Sequence, residues 1–147
     1  MKNILLLSFC GNLLFAASYL LGGNGLNGAA SSLLGSVVAI INCLFDIKNR
    51  RIPKWLIVLY GICFIVLNIC VGGISLQAIL VILSSLSFVM CIGQKNGRKY
   101  RFWVTVNLLL LCAYDLLTLS YGTLVAHLAQ LGFNTVGILL YDRKITA

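Results

Sequence analysis

The sequence predicts an all-α, polytopic membrane protein, and three observations carry that prediction. Of its 147 residues, 61% are hydrophobic and only 10% are charged, whereas about a quarter are charged in soluble globular chains. The apolar residues gather into six runs of about 17–21 residues, each long enough to cross a bilayer core as a helix. Lysine and arginine are confined to alternate gaps between those runs. Backbone groups in lipid must be satisfied within their own segment, so helix is the expected spanning form.

Helix 1 is expected over 3–22. Ala16-Ala17-Ser18 resembles a signal-peptide cleavage site, but the apolar run continues through Tyr19-Leu20-Leu21, so the helix reads as retained. Gly22-Gly23-Asn24-Gly25 is an uncharged turn. Helix 2, over 27–45, ends in Asp46-Ile47-Lys48-Asn49-Arg50-Arg51. Pro53, the only proline, falls where helix 3 (55–74) can start. Trp55 beside it suits an interfacial position. Gly72-Gly73 closes helix 3 against helix 4 (76–92). A second basic gap follows, with Lys95, Arg98, Lys99 and Arg101, and Trp103 opens helix 5 (102–119). Ser120-Tyr121-Gly122 is the third turn, and helix 6 (123–141) ends at Asp142-Arg143-Lys144.

The gaps after helices 1, 3 and 5 hold no lysine or arginine. Ten of the eleven basic residues lie after helices 2, 4 and 6, and Lys2 is the eleventh. Basic gaps stay on the cytoplasmic side, so both termini are expected there and the three glycine-rich or serine-rich turns outside. The net charge of +8 is therefore a topology signal with lipid headgroups as partners. No nucleic-acid-reading motif accompanies it. The six cysteines (Cys10, Cys43, Cys63, Cys70, Cys91, Cys112) all lie in apolar runs without a CxxC or a histidine nearby. They read as small packing residues, with no metal site and no cofactor expected.

The chain reads as three similar hairpins. At an offset of 95, Asn12 falls on Asn107 and Tyr19 on Tyr114. With one gap in the turn, Asp46-Ile47-Lys48 falls on Asp142-Arg143-Lys144. The stretches NLLFAASYLLGG (12–23), NGAASSLLGSVVAIINCLFDIKNRR (27–51) and NLLLLCAYDLLTLSYGTLVAHLAQLGFNTVGILLYDRK (107–144) resemble the YgjV family of bacterial inner-membrane proteins. That family is distantly similar to the SWEET and PQ-loop transporters. The resemblance implies a cell inner-membrane, SWEET/PQ-loop-like bundle and a small-solute carrier. Two departures accompany it. Family members carry a further helix ahead of the position of residue 1, so the bundle is expected to be one helix short: a short variant, a late start, or a bundle completed by a second copy as a homodimer. The PQ-loop hinge proline within a membrane helix is also missing.

Ionisable and polar side chains inside apolar runs are the candidate site residues. Asp115, on helix 5, suits cation binding, proton coupling or substrate hydrogen bonding, and equally a structural acid bonded to a neighbouring helix. His127, the only histidine, lies across the turn from Asp115 and pairs with it or stands alone at an interface. His127, Gln130 and Asn134 share one helical face and are expected to look toward Asn107 or Asp115. Asn12 and Asn68 complete the set, either as solute path or as interhelical hydrogen-bonding glue. Ser31, Ser32, Gly35 and Ser36, like Ser84, Ser85 and Ser87, read as close-packing faces. No catalytic arrangement of serine, histidine and acid, phosphate loop or carboxylate pair is present, so an enzyme is not expected. Two functions remain: a small-solute transporter of the SWEET/PQ-loop kind, or a non-transporting membrane protein such as a receptor, lipid binder or assembly subunit.

Overall fold

The computed structural model of the chain describes residues 2–142 except 24, 93 and 95, and side chains within 7–140. Asn24, Lys95, Arg143 and Lys144, and the side chains of Lys2 and Asp142, lie outside that description. The described residues are helical, with no strands. They form α1 (Lys2–Gly22), α2 (Leu26–Ile47), α3 (Lys54–Gly72), α4 (Leu76–Ile92), α5 (Gly97–Leu117) and α6 (Tyr121–Gly137), and a π-helical turn, Ile138–Asp142, continues α6.

Four of these segments are long and apolar enough to cross a membrane: Leu26–Ile47, Lys54–Gly72, Gly97–Leu117 and Tyr121–Leu140. Two apolar stretches are shorter, Leu7–Gly22 and Leu76–Ile92. The 17 residues of α4 rise about 25 Å at 1.5 Å per residue, slightly less than a typical hydrocarbon core of about 30 Å.

Each helix packs on its neighbours in sequence, and α1 also meets α6, so the six helices form a closed ring; α2 additionally touches α4. One core cluster joins α2, α3 and α4 through Val38, Leu56, Tyr60, Phe64 and Val89. A second joins α1, α2, α4 and α5 through Tyr19, Ala29, Val81 and Tyr114. The outside is strongly apolar. Leu14, Leu21, Ile74 and Phe133 are 72%, 89%, 91% and 79% exposed, and large aliphatic residues on every helix are exposed with them. Contiguous apolar surface on this scale belongs against another apolar phase.

The helix boundaries depart from the sequence expectation in instructive ways. Helix α5 begins five residues earlier than expected, because Asn96 caps it: the Asn96 side chain accepts from the Arg98 N–H at 2.9 Å. Arg98, Lys99 and Arg101 therefore lie on the first turns of α5 and not in a loop. The third turn also moves. It spans Thr118–Ser120, and Tyr121 and Gly122 already belong to α6. Leu119 carries the left-handed backbone (φ +56°) usually given to glycine. The Ser120 N–H then closes on the Asp115 carbonyl at 2.9 Å and pins the end of α5.

The cysteines are also corrected. Only Cys91 and Cys112 are buried. Cys10, Cys63 and Cys70 face outward and Cys43 is intermediate, all of them free thiols. Outward apolar positions accept cysteine as readily as core positions do when the outside is itself apolar.

The end of α6 is fastened to α5. The Asn134 amide donates to the Arg101 carbonyl (3.1 Å) and to the Thr105 hydroxyl (2.9 Å), and the Arg101 guanidinium donates to the Gly137 carbonyl. Gly137 is the last residue before the helix widens into its π turn. A widened turn changes which carbonyls have backbone partners, and the guanidinium supplies a donor at that point.

Candidate functional site

Polar side chains inside the bundle separate into two groups at different heights. The first lies at the turn end of α5. Asp115, two residues from the end of that helix, is fully buried. One carboxylate oxygen accepts the Tyr19 hydroxyl at 2.6 Å, and the other meets His127 Nδ1 at 2.6 Å. Asp115 thus ties α1 and α6 to α5. The His127 ring stacks on Phe15, with centroids 4.5 Å apart. Tyr19 meets Tyr114 edge to face at 5.6 Å. The Tyr114 hydroxyl in turn accepts the Gly28 N–H at 2.9 Å. That N–H lies in the first turn of α2, where no helical partner exists. Gly28 is required there, since a Cβ would fall 2.8 Å from the Tyr114 ring and 2.9 Å from the Tyr19 ring. The cluster is dry and closed: Tyr19, Tyr114, Asp115, Thr123 and His127 are each at most 3% exposed.

The second group lies about 12 Å away along the bundle, taking eight residues from Asp115 back to Asn107 at 1.5 Å each. Asn12 has ten residues of α1 on either side, and Asn107 has ten of α5 on either side. Ser84 is likewise central in α4, with eight on either side. These three, with Ser31, Ser32, Gly35 and Ser85, line a cavity of about 80 Å³, whose apolar walls include Phe64 and Phe88. Five helices contribute to it.

The Ser84 hydroxyl donates to Asn107 Oδ1 at 2.6 Å. Asn68, fully buried, donates to the Ser31 oxygen at 2.7 Å and to the Phe64 carbonyl at 2.8 Å. It also accepts from Asn27 at 3.2 Å. Gly35 lets Asn12 approach α2, because a Cβ there would meet the Asn12 amide nitrogen at 3.1 Å. Ser85 is 5% exposed and makes no hydrogen bond to any described residue. A buried hydroxyl without a protein partner beside a polar cavity calls for water or a ligand. No charged side chain lines the cavity.

The structure therefore pairs Asp115 with His127, as their placement across one turn suggests, and brings Asn12 and Asn107 to one cavity. It does not bring the two sets together. Of the stripe of His127, Gln130 and Asn134 expected to face Asn107 or Asp115, only His127 does so, on Asp115. His127 points into the dry cluster, Gln130 is exposed, and Asn134 bonds to α5 near Arg101. At 100° per residue, Gln130 lies 60° around from His127, beyond the narrow arc that α6 buries. Asn107 turns toward α4 instead. Asn68 joins α3 to α2 beside the cavity.

The serine faces are also corrected in part. Ser31, Ser32, Ser84 and Ser85 border open space, while Ser36 and Ser87 bond back to their own helices. Tyr19, Tyr114, Asn27 and Ser85 were not among the expected site residues, although the offset of 95 pairs the two tyrosines.

No family model, no curated protein and no solved structure matches this chain.

Proposed function

We propose that this chain is a multi-pass inner-membrane protein whose six helices cross as three antiparallel hairpins with both termini in the cytoplasm. We further propose that it carries a small solute through the mid-bundle cavity, in the manner that its resemblance to the YgjV and SWEET/PQ-loop proteins implies. The apolar outer surface, the four long apolar helices and the alternation of basic gaps support the membrane placement. The observation that carries the transport reading is that Asn12 and Asn107 line the same cavity. They are equivalent by the internal offset of 95, each is central in its helix, and both open on one polar cavity. Solute sites of repeat-built transporters lie between repeats near the bilayer midplane.

The lining selects the solute class. It offers amide and hydroxyl groups of both hydrogen-bonding senses and no charge, so an uncharged polar molecule fits. About 80 Å³ holds a few heavy atoms, since one water occupies about 30 Å³ in the liquid. Urea and acetamide, with four heavy atoms each, are nearest that scale, and glycerol is a larger member of the same uncharged class. Rocking of one repeat against the other would expose the cavity to each side in turn.

A second reading, a non-transporting membrane protein, is favoured by a different observation. Asp115, His127, Asn134, Asn27 and Asn68 each make a hydrogen bond to another helix. Uptake of urea, acetamide and glycerol into proteoliposomes separates the two. Under the transport reading at least one solute enters faster than into empty vesicles, and the Asn12→Ala/Asn107→Ala variant loses that flux. Protein-independent rates for the whole panel would leave the second reading standing.

A further inference from the structure

The basic end of α2 is built as a fixed notch. Lys48 caps the helix, and Asn49 takes the left-handed conformation (φ +51°) that ends helices in a Schellman motif. The Asn49 N–H closes on the Asp46 carbonyl at 3.1 Å, and the Arg50 N–H returns to the Phe45 carbonyl at 2.9 Å. This reversal brings Arg50 back beside Phe45. Ile41, Leu44, Phe45, Lys48 and Arg50 then line an open notch of about 220 Å³. Three of the five are purely apolar. The two cations are exposed at the last turn, while Ile41 and Phe45 are half-buried behind them. Arg51 and Lys54 follow directly and are exposed too. Asp46, the one acid in this stretch, is half-buried and already engaged in an interaction of its own. Trp55, 66% exposed, stands one residue beyond Lys54, where a membrane–water boundary is expected.

We propose that this notch binds an anionic phospholipid, with one acyl chain against Ile41, Leu44 and Phe45 and the headgroup phosphate between Lys48 and Arg50. Charge complementarity selects an anionic headgroup, because Lys48 and Arg50 both border the notch and Arg51 and Lys54 lie close behind them in the chain. The apolar floor selects a lipid over free phosphate, which would contact the cations and leave that floor empty. The backbone lock at Asn49 makes this a fixed site, distinct from diffuse attraction between a basic loop and a charged surface. This site is separate from the mid-bundle cavity and stands whether or not a solute moves.

The test is native mass spectrometry of the full chain in detergent, titrated with dioleoyl phosphatidylglycerol or dioleoyl phosphatidylcholine. Phosphatidylglycerol is expected to bind at least tenfold tighter than phosphatidylcholine. Lys48→Ala/Arg50→Ala should erase that preference, while Arg98→Ala/Lys99→Ala, which removes equal charge from the start of α5, should change it less than twofold. Leu44→Gln, which leaves both cations, should also weaken phosphatidylglycerol binding several-fold. Excess inorganic phosphate should fail to displace the bound lipid. Equal losses in the two double variants, no loss in Leu44→Gln, or displacement by phosphate would each overturn the site.

Discussion

The dry cluster around Asp115 and the polar cavity around Asn107 lie on the same helix, two turns apart, yet they treat polar groups in opposite ways. In the cluster, both oxygens of Asp115 are taken, by Tyr19 and His127, and aromatic rings seal the edges. In the cavity, Ser85 keeps an unpaired hydroxyl and the asparagines face open space. In the cluster the Tyr19 hydroxyl and both Asp115 oxygens are paired, which ties the helices together, whereas an unpaired hydroxyl beside a cavity leaves room for something to bind. The acid and the imidazole, the most conspicuous residues in the sequence, are thus placed to hold three helices together, and under the proposed function it is the uncharged residues that would meet a solute.

That contrast can be broken from either side. The largest effect belongs to Asp115→Ala. It leaves the Tyr19 hydroxyl and the His127 ring nitrogen buried without a partner, at about 1–3 kcal/mol each. Thermal or steric-trap unfolding in bicelles should therefore register a loss of about 2–6 kcal/mol. A loss below about 0.5 kcal/mol would show the cluster to be ornamental. Gly28→Ala comes next. Its new methyl group meets two rings near 2.9 Å, and overpacking of this kind costs about 1–3 kcal/mol. Gly132→Ala, with nothing within 4 Å, should be neutral or slightly stabilising in the same assay. A matching loss at Gly132 would point to a helix-wide cause.

Cavity variants should behave differently. Ser85→Ala removes a hydroxyl that bonds to no described residue, so stability should stay within about 0.5 kcal/mol even as solute flux falls. A large destabilisation would mean that the cavity is structural. An effect of the opposite sign is expected at Leu119. Its left-handed backbone costs about 1 kcal/mol, and Leu119→Gly should recover up to that amount in an unfolding titration. Destabilisation there would mean that the Leu119 side chain, 62% exposed, is held by contacts outside the bundle.

The difference between the regions also explains what the sequence disclosed. The mid-helix asparagines are visible because a repeat offset of 95 aligns them, and repeats are patterns that need no packing to detect. Asp115 and His127 flank one turn, so proximity along the chain suggests their pairing. The role of Tyr19 is hidden, because it bonds to a residue 96 positions away and a tyrosine in an apolar run looks like any interfacial aromatic. The serine-lined cavity is hidden for another reason: Ser84 and Ser85 on α4 resemble a packing face until the helices opposite are seen to stand back. Gln130 was misplaced because a shared helical face does not reveal how wide an arc the neighbour covers. Asn96, Asn49 and Leu119, which set three helix ends, were not legible: the two asparagines lie in the basic gaps between apolar runs, and leucine rarely turns left-handed.

Uptake of urea, acetamide and glycerol by proteoliposomes bearing Asn107→Ala or Asp115→Asn, each checked for folding, reads the division of labour most directly. The expected result is flux cut at least tenfold by Asn107→Ala and largely kept by Asp115→Asn, whose fold is the weaker of the two. Flux abolished in folded Asp115→Asn but untouched in Asn107→Ala would place the solute path in the Tyr19–Asp115–His127 cluster and contradict the reading given above.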